Sequence, residues 1–322
     1  MRGPISKRRA LAPSVVASAL VLVLAVTSLP SFATFPGRNG RIVFGADTGG
    51  GYQLYTVRPA GTDLRQITHL DGDAVHPEWS PNGRRIVFEL DRPSGPPFCS
   101  VVLVNSDGTN MVDLTGRRNG CEGQPSFTPD GHRIVFDRFN DLTNVEAIWS
   151  MNLHGGERRL VTTGIGKGVT DPNVSPDGRT VSLIAYNGKD LGQALYTSGL
   201  HGGHLRQVVP FRFDVAVKQD WAPNGRHLVF TDNADNFERP ANIARIRPDG
   251  TGLRYLTHYR SPDLRAYVGS YSPNGRWIVF RLENHGRYGL FKMRADGSHV
   301  RTILPPSSFK PRFIDWGPRT GP

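Results

Sequence analysis

What this 322-residue chain lacks excludes several protein classes at once. It has no G-x-S-x-G elbow, no phosphate-binding glycine loop and no histidine pair at H-x-x-x-H spacing. An α/β-hydrolase site, a P-loop site and a helical zinc site therefore have no basis in it. Cysteine is nearly absent, Cys99 and Cys121 being the only two. Apolar residues at 3.6-residue spacing are missing, which sets aside helical repeats. No apolar run reaches the roughly 20 residues of a membrane-spanning helix. Arg and Lys outnumber Asp and Glu by 39 to 28, but the basic residues are scattered. The aromatics fall where strands would bury them, so no nucleic-acid partner is expected.

The first 33 residues have no acid at all. "MRGPISKRR" is followed by a short apolar stretch, Val15 to Val26, and by "LPSFA", with Ser31 and Ala33 at the small-residue positions of a cleavage site. This is the pattern of a secretory signal peptide, with an uncleaved anchor as the alternative. Residues 1–33 are thus read as signal and 34–322 as one exported domain, secreted or held in the periplasm or cell envelope. No membrane span is expected once the signal is cleaved. Loss of Arg2, Lys7, Arg8 and Arg9 lowers the net charge from +11 to +7. That excess suits anionic surroundings such as wall polymers or lipid headgroups, or simply a solvated surface. In an exported chain Cys99 and Cys121 are expected to form a disulfide, whose 22-residue loop would contribute about 3 kcal/mol. Two reduced surface thiols are the other possibility.

The remainder is rich in turn formers, with Gly 37 and Pro 25. Their placement is periodic. "SPNGRRIVF", "TPDGHRIVF", "SPDGRTVSL", "APNGRHLVF" and "SPNGRWIVF" place Gly83, Gly131, Gly178, Gly225 and Gly275 at steps of 48, 47, 47 and 50. A second series, "RPAGTDL" to "RADGSHV", has steps of 47, 47, 47, 48 and 47. In each S-P-[DN]-G corner proline pre-sets φ and glycine accepts the left-handed conformation, which makes a hairpin. The apolar run after it is continuous, so both faces of that strand are expected to be buried. Four antiparallel strands per period of about 47 residues describe a β-propeller blade. "NGRIVF" at the start is a second strand lacking its first, and "RFIDWGP" near the end is a first strand lacking partners. The fold class is therefore all-β. It is a six-bladed propeller closed by one C-terminal strand joining three N-terminal ones. The blades fall near 38–70 plus 311–318, 74–116, 122–163, 170–210, 217–258 and 266–305.

The repeated "WSPNGRRIVF" and "LYTVRPAGTDLRQIT" pattern resembles the WD-like propeller repeat of the TolB family, from about Arg38 to Pro318. Ala222 and Thr128 replace the usual serine. The resemblance implies the propeller, and a family of binding proteins, peptidase-associated propellers and some lyases.

Loops between second and third strands and between blades share one face and are the longer, more variable ones; binding is expected there. Just before the residues that end the first strands stand Glu78, Ser126, Asn173, Asp220, Ser270 and Asp315. Propeller symmetry places them at one level of the channel. They are read either as hydrogen-bonded strand residues or as oxygen ligands for a hard cation such as calcium. No other cofactor is expected. His76 and Asp171, two residues earlier, lie nearer the mouth. Candidate ligand-binding residues are thus His76, Glu78, Asp171, Asn173, Asp220 and Asp315. The expected function is a non-enzymatic, monomeric scaffold that binds a protein or a cell-envelope polymer. A polysaccharide lyase or hydrolase and a carbohydrate-binding module are the alternatives.

Overall fold

The S-P-[DN]-G corners form as their residues dictate. At the first, the Ser80 hydroxyl donates to Asn82 Oδ1 at 2.9 Å, and that oxygen accepts from the Arg84 amide at 3.0 Å. The Arg85 amide donates to Ser80 Oγ at 2.9 Å. The Gly83 amide closes on the Ser80 carbonyl at 2.8 Å, with Gly83 at φ 66°. The other four glycines of the series lie at φ 67–69°. A Cβ there would be strained, which is why glycine recurs.

The computed structural model describes Met1 and residues 37–320 except 48, 95–97, 117–119, 141, 142, 144, 164, 188–191 and 234–236. Apart from Met1, the expected signal segment lies outside the described residues. The described strands form six four-stranded antiparallel sheets. Blade 1 comprises β1 (Asn39–Asp47), β2 (Tyr52–Val57) and β3 (Arg65–Gln66), with β24 (Lys310–Pro318) on the inner side of β1. Blade 2 is β4 (Asp73–Trp79), β5 (Arg85–Asp91), β6 (Cys99–Asn105) and β7 (Val112–Asp113). Blade 3 is β8 (Cys121–Phe127), β9 (Arg133–Asn140), β10 (Val145–Asn152) and β11 (Arg159–Thr163). Blade 4 is β12 (Gly168–Val174), β13 (Thr180–Tyr186), β14 (Gln193–Gly199) and β15 (Arg206–Val209). Blade 5 is β16 (Asp220–Trp221), β17 (Leu228–Asp232), β18 (Asn242–Ile246) and β19 (Arg254–Tyr255). Blade 6 is β20 (Leu264–Tyr271), β21 (Trp277–Asn284), β22 (Arg287–Arg294) and β23 (Arg301–Ser307).

The first strands touch in the cycle β24, β4, β8, β12, β16, β20 and back to β24. The ring closes through β24 pairing antiparallel with β1, with Ile42 opposite Trp316 and Val43 opposite Asp315. This is the closure expected from the two terminal fragments.

Burial follows the continuous apolar runs. Ile86, Val87 and Phe88 are fully buried, as are Ile134, Val135 and Phe136, and Ile278, Val279 and Phe280. Such strands face a neighbouring blade on each side. The core accordingly divides into six clusters, one between each pair of adjacent blades. Between blades 6 and 1, for example, Val279, Leu290 and Ile303 pack on Phe44 and Trp316.

Three details depart from a regular repeat. Fourth strands shrink to two residues in blades 1, 2 and 5. They form the outer rim, where only one side has a pairing partner and short, charged edges resist further pairing. Cys99 and Cys121 open strands β6 and β8. Finally, β16 keeps only Asp220–Trp221, because a 3-10 turn at Phe211–Phe213 and a left-handed Asp214 precede it.

Candidate functional site

The inner strands are not regular. In β4, β8, β12, β20 and β24 the pairing shifts register two or three residues before the strand's aromatic or apolar end. At this bulge His76, Gln124, Asp171 and Phe313 have φ between 45° and 50°. Lys218, at the same place in blade 5, has φ 90°. A bulge with a left-handed residue re-aims one side chain out of the alternating pattern. It recurs at the position next to the channel ring in five of the six blades. Blade 6 carries Val268 there. His76 and Asp171 were anticipated from this offset. Lys218, Gln124 and Phe313 share it and were missed, although the spacing from the turn was available as a signal.

One step deeper, the expected ring is present, and its side chains join blade to blade. Glu78 Oε1 accepts the Phe127 amide at 2.8 Å and the Ser126 hydroxyl at 3.2 Å. Ser126 Oγ accepts the Val174 amide at 3.4 Å. Asp220 accepts the Tyr271 amide at 2.7 Å, Ser270 the Trp316 amide at 2.7 Å, and Asp315 the Trp79 amide at 2.8 Å. Asn173 departs from the pattern: its amide donates to the Gln219 carbonyl at 3.4 Å, and its carbonyl accepts Trp221 Nε1 at 3.1 Å. Each seam between blades is thus clasped by one ring residue.

Lys218 brings several candidates together. It is buried, and burial alone would depress its pKa; Asp315, Glu78, Asp171 and Asp220 together push it up instead. Its own amide donates to Asp171 Oδ2 at 2.7 Å. Burial pushes Glu78 up to about 8, against the pull of Lys218 and with Asp315 adding to the rise. Asp171 is also raised by burial, with Lys218 opposing. His76 is held well below the usual histidine range by burial and by Lys218 and Arg312, and its ring stacks on Phe313 at 3.6 Å. It is therefore neutral near pH 7.

Above this level the mouth divides by charge. The residue after each apolar run of the second strand stands beside the bulge of the next blade. In blade 2 it is Glu89, which accepts the Gln124 amide at 2.9 Å. In blade 3 it is Asp137, bonded to the Thr170 hydroxyl and pushed by burial up to about 7. In blade 5 it is Thr231, which accepts the Val268 amide at 2.8 Å. In blade 6 the position is occupied by Arg281, a donor. A cleft of about 280 Å³ opens there, lined by Lys218, Arg281, Lys310 and Arg312, by the aromatic rings of Tyr267 and Phe313, and by one carboxylate, Glu283.

The two cysteines are joined as a disulfide, linking blade 2 to blade 3 beside Glu89. Among the described residues no helix is long and apolar enough to cross a membrane.

Comparison with known proteins agrees with this architecture. The chain is 54% identical over 35 residues to the Tol-Pal system protein TolB of Nitratidesulfovibrio vulgaris, a match spanning 11% of this chain and 8% of that protein. It is 28% identical over 102 residues to an uncharacterized protein of Agrobacterium fabrum, covering 32% of this chain and 31% of the other. The matches therefore span well under two thirds of either curated relative. The crystal structure of TolB from Acinetobacter baumannii superposes with a TM-score of 0.70 at 18% identity, over 89% of this chain and 69% of that one. At that identity the likeness establishes the fold alone. The profile of the TolB beta propeller domain matches residues 99–320, most of the chain, with blades 3 to 6 complete and parts of blades 1 and 2, and the chain belongs to that family.

Proposed function

We propose that the chain is an exported, non-enzymatic scaffold that binds a protein or another cell-envelope component through its loop face. The observation that carries this reading is the bulge ring. In five blades a left-handed residue, His76, Gln124, Asp171, Lys218 or Phe313, turns out of the strand pattern at one level of the channel. Strain of this kind concentrates at ligand-facing positions. The family supports the same role, since one relative is named as a Tol-Pal system protein.

Catalysis has less support. An acid/base pair needs carboxyls free to exchange protons with a substrate. Glu78, Asp220 and Asp315 are instead engaged with backbone amides of the next blade. The positive charge that calcium would supply to these carboxylates comes, in this reading, from Lys218. A calcium-dependent rise in melting temperature of the unmodified chain would count against that assignment.

The test is capture from envelope extract with the full chain as bait, beside two surface variants. One carries Phe237→Ala and Lys310→Glu on the loop face; the other carries Arg226→Glu and Arg276→Glu on the turn face. Specific proteins or polymers lost only with the loop-face variant are expected. Capture that is lost only with the turn-face variant, or no specific capture, overturns the reading.

A further inference from the structure

Arg281 is an anomaly among the buried arginines of the mouth. Its neighbour Arg265 is 2% exposed and fully engaged: Nε donates to Tyr267 Oη at 2.8 Å, Nη1 to the Arg239 carbonyl at 2.9 Å, and Nη2 to the Asn233 carbonyl at 3.0 Å. Arg281 is 7% exposed, yet its buried Nε has no hydrogen-bond partner among the described residues. The Glu283 carboxylate pairs with its charge at 3.7 Å from Nη2, beyond hydrogen-bond reach. The guanidinium lies over the Tyr267 ring at 4.2 Å and near the Tyr288 ring at 5.8 Å, which fixes its plane without satisfying its donors. Burial depresses its pKa, with Arg312 contributing. A buried donor with no partner is costly, and an acceptor from outside the chain would complete the Nε–H.

The surroundings define what that is. Lys218, Lys310 and Arg312 share the cleft with Arg281, against Glu283 alone. Lys218 is offset by the ring carboxylates, whereas Lys310 and Arg312 are only half-buried. Arg312 reaches toward Tyr52 Oη at 3.4 Å and lies over the Phe313 ring at 4.9 Å. In blades 2 and 5 the equivalent seam is filled by an acceptor of the chain's own, Glu89 or Thr231. In blade 6 the acceptor is missing and a planar donor stands in its place. Phe237, 70% exposed, sits on the rim with Arg265 stacked beneath it at 4.5 Å. Arginine beside exposed aromatic residues is the composition of protein-binding hot spots.

We propose that the cleft between blades 5, 6 and 1 is a carboxylate pocket. It seats an acidic side chain of a polypeptide partner, read by Arg281 and Arg312. Its volume of about 280 Å³ admits one residue and not a folded element. The planar guanidinium matches a carboxylate by paired hydrogen bonds. Because the loop face is the binding face in the role proposed above, this pocket would supply that face with its anchor for an acidic partner.

The experiment uses the full chain labelled with 15N-arginine. It is titrated with acetyl-Ala-Glu-Ala-amide, with its glutamine counterpart, with galacturonate and with inorganic phosphate. A saturable shift of the Arg281 Nε–H signal by the glutamate peptide is expected. The glutamine peptide should not produce it, and affinity should fall roughly tenfold or more in Arg281→Gln and in Arg312→Gln. Arg226→Gln on the turn face should leave it unchanged. Arg312 is half-buried, so its variant remains informative if Arg281→Gln does not fold. Equal response to both peptides, or affinity surviving both variants, overturns the pocket. No saturation by any of the four probes also overturns it. Preference for galacturonate or phosphate over the peptide overturns the polypeptide assignment. An envelope partner captured through the loop face but indifferent to Arg281→Gln removes the pocket and leaves the scaffold role standing.

Discussion

Glu78 shows how one residue couples the channel to pH. In the folded chain burial holds its pKa at about 8, while the unfolded carboxyl titrates near 4.5. Between those values the folded state binds more protons, so stability falls as pH rises. Asp137, pushed up to about 7 from 3.8, adds to the fall lower in the window. His76 acts in the opposite sense: its folded pKa lies well below 6.5, so stability is lost as pH falls beneath that value. Above pH 6.5 only the carboxyl effect remains. The melting temperature should drop between about pH 6.5 and 8, by the equivalent of roughly 1–2 kcal/mol for one such group. Glu78→Gln, which keeps an acceptor for the Phe127 amide, should flatten that drop; calorimetry at stepped pH reads both. A neighbouring position tests the clasps directly. Asp220→Ala strips the buried Tyr271 amide of its acceptor and should cost about 1–3 kcal/mol in a urea melt. Asp220→Asn, which retains an oxygen, should cost less.

At the scale of the strand, the disulfide and the bulges do different work. Cys99 at the start of β6 and Cys121 at the start of β8 add a covalent link between two blades that also meet through side-chain packing and through the hydrogen bonds of Glu78 and Glu89. The bridge closes a loop of 22 residues, so Cys99→Ser with Cys121→Ser should lower stability by about 3 kcal/mol. The unreduced protein should show no free thiol on alkylation and mass spectrometry, and the doubly substituted chain should melt lower with unchanged cooperativity. The bulges cost pairing in every sheet where they occur. Their recurrence at one level indicates a requirement at the channel.

For the whole molecule, closure is the weak point. Blade 1 is assembled from strands nearly the full chain apart in sequence, β24 and β1–β3. Removing Lys310–Pro318 exposes the inner edge of β1 and takes Trp316 from the cluster between blades 6 and 1. It also deletes two of the ring clasps, Asp315 to Trp79 and Trp316 to Ser270. A chain ending before Lys310 should lose its cooperative melt and associate through the open edge. Circular dichroism and light scattering would record this; a monomeric, normally melting truncation would show that five complete blades and a fragment suffice.

Much of this architecture could be read without coordinates because it is local and repeated. A proline that pre-sets φ, a glycine at φ near 67° and a continuous apolar run specify a hairpin wherever they occur, and their period counts the blades. The two incomplete fragments, "NGRIVF" and "RFIDWGP", could complete only one another. The ring of Glu78, Ser126, Asn173, Asp220, Ser270 and Asp315 followed from the same symmetry. What those residues do was decided in three dimensions, since a clasp joins positions 46 to 51 residues apart, or 236 where the ring closes. Lys218 among the carboxylates, and Arg281 where blades 2, 3 and 5 place an acceptor, depend on which blades are neighbours and which way a bulged side chain turns. Periodicity assigns equivalent positions to a ring; only packing brings unlike side chains from separate repeats close enough to exchange protons, share charge or leave a donor unmet.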